Sequence, residues 1–180
     1  MSLETRVASI RDIVDVSVDA VSNQINEKKI RLRVDIDEIF KERFVQVDPD
    51  ILAHNVLANI LTNAIKFSPE GGEVCLKAIY SDGFACIKII DRGVGIPKEL
   101  QKVIFDASTP TSRKGTNGEA GTGFGMPIAQ NCIKKMNGNL HLSSISVDDD
   151  PENHGSVFTG PSVGNSNLKP PFSAFFGITL

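Results

Sequence analysis

Asn59-Ile60-Leu61-Thr62-Asn63-Ala64-Ile65-Lys66-Phe67-Ser68-Pro69 is the stretch on which the reading of the fold turns. Ile60, Leu61, Ala64 and Ile65 extend an apolar face begun by Ile51, Leu52, Val56 and Leu57, at the spacing of an amphipathic helix. Asp48-Pro49-Asp50 carries helix-start chemistry: Asp48 can cap, Pro49 fits the first helical position, and the acids complement the dipole. Ser68-Pro69-Glu70-Gly71-Gly72 ends the helix. Asn59, Asn63 and Lys66 stand at i, i+4 and i+7, so they project from one face beside the apolar stripe. Asparagine is a mediocre helix former and is mostly exposed, so two readings of this polar line stay open. One is a solvated helix face. The other is a row of oxygen and ammonium groups for Mg²⁺ and phosphates, since an amide oxygen is a hard ligand suited to that ion.

Working outward, Val7, Ile10, Val14, Val18, Val21 and Ile25 predict an amphipathic helix over roughly residues 4–27. Strict alternation from Ile30 to Ile36 predicts a half-buried strand, and Phe44–Val47 a second short one. Beyond the central helix, Glu73–Tyr80 and Phe84–Ile90 read as strands joined by a hairpin turn at Ser81-Asp82-Gly83. Pro97 starts a short helix to about Lys102. Residues 107–120 are polar, aperiodic and without apolar anchors, which predicts a mobile, functional loop. Phe124–Met136 reads as a helix closed by Asn137-Gly138. The strand Leu140–Ile145, an acidic turn at Asp148–Glu152 and the strand Gly155–Thr159 follow. This order predicts an α/β (α+β) two-layer sandwich, with helices on one face of a mixed, mostly antiparallel sheet. Residues 1–159 form the domain, and 160–180 its C-terminal loop with a possible edge strand at Ala174–Leu180.

Composition narrows the function classes. The 180 residues suit one domain with a full core, and 41% hydrophobic with 23% charged residues is the profile of a soluble globular protein. A net charge of -3 provides no basic footprint for nucleic acid. No apolar run approaches the ~18 residues of a membrane span and no signal peptide is visible, so no direct membrane contact is expected. Cys75, Cys86 and Cys132 form no CxxC pair and read as buried small residues in a reducing, cytoplasmic setting.

Two further motifs bear chemistry. Asp91-Arg92-Gly93-Val94-Gly95-Ile96 follows an apolar strand directly. It reads either as an ordinary Asp/Gly turn or as a base pocket. A partly buried carboxylate there can accept from the exocyclic amine of adenine, whereas guanine presents a carbonyl. Gly121-Thr122-Gly123-Phe124-Gly125-Met126 opens a helix. It reads either as a flexible linker or as a backbone N–H cradle for an anion such as a triphosphate. Neither a Walker A loop nor a GxGxxG fingerprint occurs.

Together and in this order the motifs are far more specific. Asn59–Pro69 resembles the N box of the histidine kinase branch of the GHKL ATPase superfamily, Asp91–Gly95 its G1 box, Val103-Ile104-Phe105 its F box and Gly121–Gly125 its G2 box. Residues 111–119 look like its ATP lid, and the resemblance spans roughly residues 4–159. It implies a Bergerat-type ATP-binding fold and the work of a histidine protein kinase catalytic domain. Asn63 would bind Mg²⁺, Lys66 would contact phosphate, and Asp91 would bond the adenine amine. Gly93, Gly95 and Ile96 would line the base pocket. Arg113 and Lys114 of the lid, with Gly121, Thr122, Gly123, Phe124 and Gly125, would meet the nucleotide's phosphate end. Asn59 holds the position where gyrase-like relatives keep a catalytic glutamate. An amide cannot take a proton from water, which suits phosphoryl transfer to histidine better than hydrolysis.

Some positions depart from the family pattern. Ala107-Ser108 replaces a frequent second aromatic of the F box, Met126-Pro127 opens the last helix, and 160–180 continues past the usual final strand. His54, His141 and His154 lack the acidic-arginine context of a phosphoacceptor and read as surface or loop residues outside the boxes. The expected partners are therefore the dimerisation and histidine phosphotransfer helices of a parent kinase and, through that histidine, a response regulator receiver domain. A GHKL-type ATPase and a nucleotide-binding module without phosphotransfer are the alternatives.

Overall fold

The computed structural model describes residues 3–81, 84–109, 111–138 and 140–161. Part of the expected hairpin turn and the segment 162–180, with its expected edge strand, lie outside the described residues.

The first expected helix is the main departure. Its N-terminal end is a strand, β1 (Arg6–Ser9), and the remainder is split into α1 (Ile10–Ala20) and α2 (Ser22–Glu27). β1 pairs antiparallel with β3 (Phe44–Val47), Arg6 opposite Val47. Val7 fits the helical spacing by coincidence: its backbone is claimed by a strand far along the chain, a partner local periodicity cannot reveal. Ser9 then caps α1, its hydroxyl accepting from the Asp12 N–H.

β2 (Arg31–Ile36), β4 (Glu73–Ser81), β5 (Phe84–Asp91), β6 (His141–Ile145) and β7 (Gly155–Pro161) build a five-stranded sheet in the order β2-β4-β5-β7-β6. Among the described residues only the β2–β4 pair is parallel. Its long crossover, which parallel strands require, contains β3 and the central helix. β7 runs two residues beyond its expected end, Pro161 standing opposite Cys86.

The central helix starts as expected: Asp48 accepts from the Ile51 N–H at 3.0 Å. A widened π-helical stretch (Ile51–Leu57) then leads into α3 (Ala58–Phe67). There the Ala58 N–H reaches back five residues to the Ala53 carbonyl, a widening often found next to functional positions. The short helix expected from Pro97 is α4 (Lys98–Gln101), and the last helix is α5 (Gly125–Lys135). Leu52, Leu57, Ile60 and Leu61 are fully buried from the central element, with Leu76, Ile87 and Ile89 of the sheet and Ile133 of α5. Each contributes roughly 1.5–3 kcal/mol through burial. Leu61→Ala would cost about 2–5 kcal/mol through the cavity it leaves. This core joins α1, α3 and α5 to the sheet, and the site lies where α3, the end of β5 and the start of α5 meet. The three cysteines are buried and form no disulfide.

Candidate functional site

The polar line on α3 faces a cavity of about 150 Å³. Asn59, Asn63, Lys66, Ile96, Arg113, Gly121, Thr122, Gly123 and Gly125 line it together, so residues from all three motifs and the lid segment converge. Lys114 and Phe124 are not among its walls, and both are exposed.

Asn59 donates through Nδ2 to the Asn55 carbonyl at 2.7 Å, which turns its side-chain oxygen toward Gly125. Asn63 makes no side-chain hydrogen bond among the described residues, so its amide remains available to a ligand. No group of three or more His, Cys, Asp or Glu among the described residues could hold a metal. A divalent ion here would depend on the Asn63 oxygen and on oxygens brought by phosphates, which suits Mg²⁺.

Asp91 ends β5 and is buried. Its Oδ1 accepts from the Gly93 N–H at 2.8 Å and the Ser156 N–H at 3.2 Å, and among the described residues Oδ2 accepts no hydrogen bond. Burial pushes the carboxyl up to about 7, against the pull of those two N–H groups and of His154. The turn after it is held from three sides. The Val94 N–H donates to the Phe67 carbonyl, the Ile96 N–H to Ser144 Oγ, and Arg113 Nη1 to the Gly95 carbonyl. Gly95 has φ +65°, and a methyl group there would collide with the Ile145 carbonyl oxygen. Of this motif Ile96 lines the cavity, whereas Asp91, Gly93 and Gly95 do not.

At the other end, Gly121–Gly125 runs into α5, with Ser112 Oγ donating to the Gly121 carbonyl at 2.5 Å. A side chain at Gly121 would collide with Lys66 Nζ. Residues 111–120 are seated by polar contacts instead of the apolar anchors the sequence lacks. The Thr116 N–H and hydroxyl reach the carbonyls of Lys66 and Ser68. Lys66 and Arg113 both stack over the Phe67 ring, at 5.0 and 5.5 Å from its centre.

Three contacting residues escaped the sequence reading. Lys28 and Glu119 meet beside Lys66. His154, expected in a loop away from the boxes, does precede β7, but its Nδ1 lies 2.5 Å from the Gly93 carbonyl. That oxygen can only accept, so the ring donates from Nδ1. Glu119 alone had a signal, as the one acid in residues 107–120.

Comparison with known proteins agrees with this fold. The family described as "Histidine kinase-, DNA gyrase B-, and HSP90-like ATPase" matches residues 47–162. The chain is similar to sensor histidine kinase GlrK of Escherichia coli K12, 28% identical over 148 residues, covering 82% of this chain and 30% of that protein. It is 32% identical over 158 residues to sensor histidine kinase ZraS of Salmonella typhimurium, covering 87% of this chain and 31% of the relative. The chain therefore spans under a third of the length of these two relatives. Among solved structures, the mycobacterial sensor histidine kinase MprB superposes with a TM-score of 0.68 at 24% identity, over 87% of this chain and 94% of that one. The fold is accordingly the Bergerat-type sandwich. No helix among the described residues is long and apolar enough to cross a membrane.

Proposed function

The chain belongs to the family of histidine kinase-, DNA gyrase B- and HSP90-like ATPases, and we propose on that premise that it binds Mg-ATP and passes the γ-phosphate to a histidine outside this sequence. The observation that carries this is the convergence of Asn59, Asn63, Lys66, Gly121, Gly123 and Gly125 on one cavity, with Ile96 from the turn after the buried Asp91 in its wall.

In this reading the Asp91 carboxylate accepts from the adenine amine, and Gly93, Gly95 and Ile96 shape the base pocket. Lys66, Arg113 and the N–H groups of residues 121–125 meet the phosphates, with Thr122 and Phe124 at that end and Lys114 reachable from the lid. Asn63 would hold Mg²⁺, whose charge offsets that on the phosphates. Asn59 supplies polarity without basicity, so water is not activated, which favours transfer over hydrolysis. In-line transfer needs the acceptor about 3 Å from the γ-phosphate. None of this chain's described histidines lines the cavity. The acceptor is therefore the histidine of a dimerisation helix pair in the full-length protein, and a response regulator receives the phosphate from it. The domain works in the cytoplasm.

Titration with an ATP analogue, with and without Mg²⁺, tests the binding half. Labelling of the separate histidine-bearing helices tests transfer. Saturable binding with no label on the helices would leave a nucleotide-binding module.

A further inference from the structure

Lys28 follows α2 and belongs to none of the four motifs. Its side chain is 5% exposed, and a buried ammonium needs partners. It donates to the Lys66 carbonyl at 2.6 Å and to Glu119 Oε1 at 2.5 Å. Glu119 Oε2 accepts from the Asn117 N–H at 2.8 Å. Burial alone would raise the Glu119 carboxyl, but Lys28 and the neighbouring N–H groups hold it below the usual carboxylate range. Burial depresses the Lys66 ammonium; Glu119 counters this, while Arg113 and Lys28 add to it. Lys28 and Lys66 thus share one anion where α3 meets the lid, with Arg113 beside Lys66.

Two cavities adjoin at this point. The 150 Å³ site holds lid residues in its wall and is smaller than the roughly 300–1,000 Å³ usual for ligand pockets. A second, of about 390 Å³, is lined by Lys28, Glu119 and Asn117 among others. Thr62, Lys66 and Ala120 line both, so lifting the lid would join them.

We propose that Lys28 is a further phosphate-site residue and that Glu119 holds its place until nucleotide arrives. This rests on the nucleotide reading of the cavity. Without nucleotide, Glu119 on Lys28 and the Arg113 carbonyl on Lys66 hold the lid across the phosphate end. An incoming triphosphate competes for the same cations. As it wins, Glu119, already 35% exposed, turns to solvent, where its charge is hydrated. Lys28 exchanges one anion for another and is never left as an unpaired buried charge.

Calorimetry of the full 180-residue chain with a non-hydrolysable ATP analogue and with ADP provides the test. Glu119→Gln removes the competing charge and should tighten the analogue about 3- to 10-fold, with a smaller gain for ADP. Lys28→Met should weaken the analogue by a similar factor, and adding Glu119→Gln to it should give no further gain. Lys28→Arg keeps the charge and should retain most of the affinity. If the pair is only a structural clamp, Glu119→Gln and Lys28→Met will weaken both nucleotides equally, and the proposal is overturned. Wild-type binding with no tightening in Glu119→Gln sinks this proposal alone. Absence of saturable wild-type binding sinks the nucleotide reading and this proposal with it.

Discussion

Lys66 Nζ donates to the carbonyl oxygen of Arg113 at 2.6 Å. The ammonium proposed to meet phosphate is thus bonded to the backbone of the lid. A phosphate bound at Lys66 would therefore share the ammonium with the lid backbone or displace it, which would tie nucleotide binding to the lid.

Lys66→Met keeps the stem and removes the charge. It should cost triphosphate binding roughly 1.5–3 kcal/mol, about tenfold or more, while adenosine, which lacks phosphates, should lose little. Calorimetry with both ligands checks this. Equal losses would mean that Lys66 supports the pocket's shape and does not meet phosphate.

Asp91 should make adenine binding sensitive to pH. Its carboxyl is raised to about 7 in the folded chain, from an ordinary value of 3.8. The fold therefore favours the neutral form: the stability contributed is fully present below pH 3.8 and is lost as pH rises through 7. The adenine amine needs an acceptor, so binding favours the charged form. Nucleotide binding near pH 7 should release a proton, and affinity should fall as pH drops below that point. Asp91→Asn should abolish the proton release and weaken binding about tenfold, a charged hydrogen bond being worth roughly 1.5–3 kcal/mol. Calorimetry in buffers of different ionisation enthalpy reads the proton directly. No release in the wild type would remove Asp91 from the adenine contact.

Much of this site was legible because its chemistry is local. The Asn59, Asn63, Lys66 spacing, the Asp91–Gly95 turn and the glycines at 121–125 each declare themselves within a few residues, and the cavity gathers the first and the last of these with Ile96 from the end of the turn. Contacts made across the fold were not legible. β1 depends on β3, about forty residues away in sequence. Lys28 reads as one more charged residue in a turn until Glu119, 91 residues away, meets it. The π-helical stretch before α3 leaves the apolar spacing intact, so periodicity alone gives a plain helix.

Asn63→Ala should weaken Mg-nucleotide much more than nucleotide in EDTA, because the amide oxygen acts through the ion. Titrations under both conditions decide the matter. Losses of the same size with and without Mg²⁺ would make Asn63 a structural residue.

Gly95→Ala should destabilise the fold by about 1–3 kcal/mol, since residue 95 has positive φ and faces the Ile145 carbonyl oxygen. Denaturant unfolding should show a lower midpoint at an unchanged slope. An unchanged midpoint would mean that the turn after Asp91 adapts freely and is not fixed by the Ile145 contact.

The central claim is transfer of phosphate to a histidine that this sequence does not carry. The direct measurement uses ATP labelled at the γ-phosphate, Mg²⁺ and this chain, with and without the histidine-bearing helices of the full-length protein as a separate polypeptide. The account predicts base-stable, acid-labile label on the helices alone, and very slow release of phosphate to water when they are absent. Base-stable, acid-labile label on this chain by itself would contradict it, as would steady hydrolysis with unlabelled helices.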